Sequence, residues 1–238
     1  MPQSLHNKYD AGRCLARALR RLSVGITVAA VAAMLAARNG TGSGWVMPLT
    51  FLASTGYVAI AATRGAFGGW YGRFILLGLI GCWCGDMLGP RNFLAGLAAF
   101  LLAHFGFIGA FCANRIVWKR MLWGLPALVL VVVPVLVWLL PHVPAAEFVP
   151  VAAYITVISL MVFFACGSSH NAVGRWALLG AVLFFVSDIF VARWKYVDPN
   201  PVNGNICFPL YYSACIVLAL SVIATPSKPG EAASTDQN

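Results

Sequence analysis

The strongest constraint on this chain is a series of eight apolar stretches, near 20–37, 45–63, 73–90, 92–114, 121–140, 146–167, 174–192 and 206–225. Each is long enough, or nearly so, to cross the ~30 Å hydrocarbon core of a bilayer as a helix of roughly 20 residues. Inside hydrocarbon every backbone amide and carbonyl must be satisfied within its own segment, so such stretches have to be helical. Composition agrees, because 61% of the residues are hydrophobic and only 10% are charged, too few charges for a water-facing surface. The expected fold is an all-α integral membrane protein with eight transmembrane helices. One transmembrane domain is expected over 20–225, with a basic cytoplasmic arm over 1–19 and a disordered cytoplasmic tail over 226–238. The first stretch also reads as a signal peptide, with Arg20 and Arg21 ahead of a short apolar core. The cleavage pattern before Arg38 is poor, however, and a retained helix gives two complete sets of four.

The net charge of +9 bears on orientation rather than on nucleic acid, and no nucleic-acid partner is expected. With the N-terminus inside, the cytoplasmic segments collect most of the lysines and arginines and leave Arg38, Arg91, Arg193 and Lys195 in the outer loops. The positive-inside bias then puts both termini in the cytoplasm, as expected for a multi-pass protein of a bacterial inner (plasma) membrane. The seven cysteines fall mostly within the spans and form no C-x-x-C pair. Cys82-Trp-Cys84 has the wrong spacing for a usual zinc site. No metal box, phosphate loop or nucleotide fingerprint is present, so no cofactor is expected.

Two segments repeat. "RFILLGLIGCWCGDMLGPR" at 73–91 and "RWALLGAVLFFVSDIFVAR" at 175–193 align at an offset of 102. Both read R-x-x-L-L-G, then seven residues, an aspartate, four residues and an arginine. This suggests two parallel four-helix repeats, with Asp86 and Asp188 at the same depth of the third and seventh spans. At 1.5 Å rise per residue, each lies roughly 20 Å beyond its inner arginine and about 7 Å short of its outer one. Both belong to the outer half of the bilayer.

Away from their ends the spans hold three ionisable side chains other than cysteine and tyrosine: Asp86, His104 and Asp188. A charged group at membrane depth costs at least ~2.5–3.5 kcal/mol near the centre, so it normally faces a bundle interior or wet cavity and serves a function. The alternative is a helix-packing hydrogen bond or an aspartate hydrated near the interface. Counting inward along the even-numbered spans places Tyr211, Tyr212, Tyr154, Thr50, Ser54 and Thr55 at similar depth, with His104 nearer the centre. Each tyrosine alone suits an interfacial belt; together with the aspartates they make a polar layer.

Two neighbouring carboxylates cannot both ionise easily, so one shared proton is expected. That arrangement supplies an acid and a base from identical side chains. No G-x-S-x-G nucleophile elbow is present, and the "CGSSH" segment at 166–170 falls in a cytoplasmic loop on the opposite side from both aspartates. An outer-leaflet site entered from lipid suits an amphiphile. Arg91 and Arg193 could meet a phosphate headgroup there or serve as interface anchors.

The chain resembles the YhhN-like lysoplasmalogenase family of polytopic membrane hydrolases from about Pro48 to Ile216. The resemblance rests on Gly85-Asp86, Phe100 and His104 in "FLLAH", Tyr154, "GAVLFFVSD" at 180–188 including Ser187, and "LYYSACIV" in the last span. It implies an eight-helix bundle that cleaves the vinyl ether bond of a lysophospholipid substrate drawn from membrane lipid, releasing a fatty aldehyde and a glycerophospho-alcohol. It also implies that Asp86 and Asp188 are the catalytic carboxylates, with no metal or organic cofactor; from its depth, His104 is expected to tune or support that layer from below. Three positions depart from the family pattern: Met47 stands where Lys precedes Pro, Phe107 where a tyrosine follows the histidine, and Cys215 where the last span carries glutamine. These departures leave the acid/base pair intact and bear on substrate identity. Two other classes fit the intramembrane carboxylates: a proton-coupled small-solute transporter and a non-catalytic membrane assembly factor.

Overall fold

A computed structural model describes residues 3–40 and 42–222, with side chains from residue 18 onward other than Arg20. The tail expected at 226–238 lies outside the described residues. Eight long helices follow one another: α1 (Gln3–Asn39), α2 (Val46–Thr63), α3 (Trp70–Leu88), α4 (Phe93–Ala113), α5 (Trp118–Leu139), α6 (Ala145–Ser168), α7 (Ala172–Tyr196) and α8 (Val202–Ser221). All eight carry windows long and apolar enough to cross a membrane, so the chain is a multi-pass membrane protein. The helix of the first span begins at Gln3, within the segment expected as a basic arm.

Helix ends are set by local chemistry. The Asn92 side chain accepts from the Ala95 amide at the start of α4, and Asn171 does the same for Gly174 at the start of α7, each satisfying an amide that the first turn leaves unpaired. Between α2 and α3 the turn needs a left-handed residue, and Gly65 supplies it with φ 85°. The short connections make consecutive helices antiparallel, and all consecutive pairs but α4 and α5 pack side by side. The C-terminal ends of α1, α3, α5 and α7 therefore meet the N-terminal ends of α2, α4, α6 and α8 on one side.

Six helices close a ring in the order α2, α3, α4, α6, α7, α8 and back to α2. Outside it, α1 packs on α2 and α8, and α5 packs on α6 and α7. Most of α5 is left to the surroundings, with Trp123 84% and Leu130 75% exposed, as suits a helix facing lipid tails. Inside the ring the core is dense: Tyr57, Ile75, Leu79, Phe107, Phe111 and Phe184 are fully buried.

The α3–α4 contact is a close backbone approach. A Cβ placed on Gly106 would lie 2.8 Å from the Gly78 amide nitrogen, and one on Gly96 would lie 2.6 Å from Gly89 Cα. Small residues on both helices let the two backbones meet, which is how helices associate where lipid supplies no hydrophobic drive.

Candidate active site

One cavity of about 460 Å³ opens at the side where α3 and α7 end and α4 and α8 begin, and all eight helices contribute to its wall. The wall is mostly apolar, and Asp86, Asp188, Tyr154, Tyr211, Thr50 and Arg38 stand out on it. Helical spacing explains the polar groups. On α2, Thr50, Ser54 and Tyr57 recur at i, i+4 and i+7, one stripe turned toward the ring interior. Asp86 sits on α3 after Gly85, whose missing side chain gives the Phe100 ring room, since a Cβ there would lie 2.6 Å from it. The glycine thus brings α4 and its aromatic ring close beside the carboxylate.

The two aspartates differ in their surroundings. Asp86 Oδ2 accepts three hydroxyls: Ser54 at 2.5 Å, Tyr211 at 2.8 Å and Tyr57 at 2.9 Å. The Tyr57 and Tyr211 oxygens are also 3.2 Å apart. Asp86 Oδ1 has no protein partner among the described residues, and it is not one of their buried unpaired atoms. It is therefore the oxygen left open to the cavity. Asp188 Oδ2 accepts Tyr154 at 2.5 Å, while Oδ1 has only a long 3.5 Å contact from Ser187, whose hydroxyl donates to the Phe184 carbonyl at 2.7 Å. Three donors thus surround one carboxylate and one close donor holds the other.

Beneath the carboxylates lies an aromatic floor. His104 is fully buried, with its Nδ1 2.5 Å from the Phe100 carbonyl oxygen. A carbonyl only accepts, so Nδ1 carries the proton. Nε2 is buried without a partner among the described residues. The imidazole packs edge-on against Tyr154 and Phe184, with ring centroids 5.3 and 4.9 Å away, and hydrogen-bonds to neither aspartate. Its link to the carboxylates runs through the Tyr154 ring.

The structure brings Asp86, Asp188, Tyr154 and Tyr211 to the lining of one cavity and places Tyr212 just behind it, 3.5 Å from the Ser54 hydroxyl. Thr55 turns away and accepts the Trp83 indole N–H. Arg91 and Arg193 are not on the cavity wall. Both are exposed, Arg91 donating to the Met87 carbonyl and Arg193 pairing with Asp198 at 3.1 Å. The arginine on the wall is Arg38, which the sequence reading puts in an outer loop and which in fact occupies the last turn of α1. Tyr57, three residues beyond Ser54 on the same face of α2, is the other residue that reading passed over. Of the three departures, Met47 lines the cavity, Phe107 belongs to the floor and Cys215 is buried.

The model of the YhhN family matches residues 46–222. Curated relatives include Lysoplasmalogenase TMEM86B of Homo sapiens, 28% identical over 59% of this chain and 58% of its own length. The protein of the same name from Sus scrofa is 29% identical over 68% of each chain, and a Lysoplasmalogenase of Mycobacterium bovis is 31% identical over 51% of this chain and 46% of its own. The chain thus spans a little over half the length of the human relative. No solved structure matches it.

Proposed function

The chain belongs to the YhhN family, and from that premise we propose that it hydrolyses the vinyl ether bond of lysoplasmalogens, with Asp86 and Asp188 as its base and acid. The observation that carries the reading is that two carboxylates, from helices four apart in order, line one mostly apolar cavity. The names of the curated relatives support the substrate class.

The hydroxyl partners divide the roles. Three donors on one oxygen favour ionised Asp86, and Asp188 holds the proton. Asp188 protonates the vinyl carbon remote from the ether oxygen, and positive charge develops across the carbon–oxygen bond as an oxocarbenium ion. Asp86 Oδ1 takes a proton from water as the water oxygen adds to the carbon bonded to the ether oxygen, giving a hemiacetal. Asp86 then returns its proton to the departing glycerol oxygen while Asp188 recovers one from the hemiacetal hydroxyl. The carbon–oxygen bond breaks, the aldehyde and the glycerophospho-alcohol leave, and both aspartates regain their starting states.

The positive-inside bias puts the cavity in the outer leaflet of the membrane and both termini in the cytoplasm. The matching neighbours of the two halves, α3 on α4 and α7 on α8, α4 on α6 and α8 on α2, support the parallel-repeat reading. Against a transporter stands the filled ring interior below the carboxylates, where Tyr57, Phe107 and Phe184 leave no exposed surface.

The test is aldehyde release from a 1-alkenyl lysophospholipid by purified protein, beside an acyl lysophospholipid and the Asp86→Asn and Asp188→Asn variants. Release from the alkenyl substrate alone is expected, reduced by about 10²–10⁴-fold in each variant. Full activity in either folded variant would sink the acid/base assignment.

A further inference from the structure

Resting on the hydrolase reading, we propose that Arg38 binds the phosphodiester of the substrate's headgroup and thereby sets the depth at which the vinyl ether meets the aspartates. Arg38 is the one cation on the cavity wall among the described residues. Its guanidinium sits in the angle between two perpendicular rings, 4.9 Å from the Trp194 centroid and 4.5 Å from that of Phe208, which themselves meet edge to face at 6.4 Å. On a third side it presses on Gly204, where a Cβ would stand 2.9 Å from Nη2. Aromatic faces hold a guanidinium flat while leaving its edge N–H groups unspent.

No carboxylate is bonded to it among the described residues. Asp198 is engaged by Arg193, and Glu147 accepts the Tyr196 hydroxyl at 2.7 Å. A half-buried arginine fixed by stacking, with its donor fork free and facing a cavity, is built for an oxyanion that arrives with a ligand. Phosphate oxygens match that fork two at a time.

The spacing fits one chemical class. Phe208 precedes the Asp86 partner Tyr211 by three residues on α8, about 5 Å along the axis, and Trp194 follows Asp188 by six residues on α7, about 9 Å. Arg38 therefore lies nearer the open end than the carboxylates by an interval in that range. In a 1-alkenyl glycerophospholipid five bonds separate the ether oxygen from phosphorus, roughly 6 Å when extended at ordinary single-bond lengths. With its phosphate on Arg38, such a molecule presents its ether at the level of Asp86 and Asp188. A 1-alkenylglycerol without the phosphate lacks that stop.

Steady-state hydrolysis of a 1-alkenyl lysophospholipid and of the matching 1-alkenylglycerol, in the same mixed micelles, tests this in wild type, Arg38→Met and Arg38→Lys. Wild type should prefer the phospholipid. Arg38→Met should raise its KM by about ten- to a hundredfold, with kcat little changed and hydrolysis of the alkenylglycerol kept at the wild-type level. Arg38→Lys, with the charge but not the fork, should fall between. An unchanged KM in Arg38→Met, or equal loss on both substrates in a folded protein, overturns the inference while leaving the hydrolase reading in place. Wild type inactive on both substrates overturns the hydrolase reading itself, and this inference with it.

Discussion

Asp86 and Asp188 share a side-chain type and a cavity yet differ in what holds them. Asp86 keeps two hydroxyl partners if one is lost, whereas Asp188 depends on Tyr154 for its only close bond. Tyr154→Phe is therefore expected to lower kcat by about tenfold, the effect of one strong hydrogen bond to a carboxyl group. Tyr57→Phe should cost less, about twofold to threefold on the same scale, and comparison of the two kcat values for aldehyde release checks the assignment. Equal losses would mean that the hydroxyls act as one network rather than as separate anchors. At this scale the sequence was readable where a residue broke the apolar pattern: Asp86, Asp188 and His104 are the polar outliers of their spans. Tyr57 was not, because a tyrosine in an apolar helix reads equally well as packing. Arg38 was hidden because hydropathy ends the first span before it, while the helix itself runs on to Asn39.

Among the elements, the α3–α4 pair carries the most consequence, since it places Asp86, Phe100 and His104 together. Its two backbones touch at Gly78 and Gly106, where no side chain can be inserted without moving a helix. Gly106→Ala is expected to destabilise the folded protein by about 1–3 kcal/mol, the usual cost of overpacking a filled contact. A lowered thermal midpoint in detergent, with activity lost in parallel as α3 shifts, would bear this out; an unchanged midpoint would show that the pair has slack. Glycines at these positions are visible in the sequence, but which helix they face is not. The same holds for α1 and α5: hydropathy marks both as spans like the rest, and only the packing sets them outside the ring.

For the whole molecule, eight helices and their alternating direction were legible, because length and apolarity at membrane thickness admit little else. The ring order was not, because lipid-facing and helix-facing surfaces are both apolar and leave no amphipathic stripe to read. No group of three or more metal-ligating His, Cys, Asp or Glu side chains occurs among the described residues. The proposed steps move protons only between water, substrate and the two carboxylates, so aldehyde release is expected to survive dialysis against EDTA unchanged, and loss restored by a divalent ion would require a different assignment of the two carboxylates. The cavity has a greasy wall and a cationic rim, so the proposed cleavage would produce two fragments of opposite solubility at a phase boundary. The long-chain aldehyde would stay in the bilayer among its own kind, and the glycerophosphodiester would drift into water. Partition between the two phases would then keep the fragments apart and give the reaction its direction.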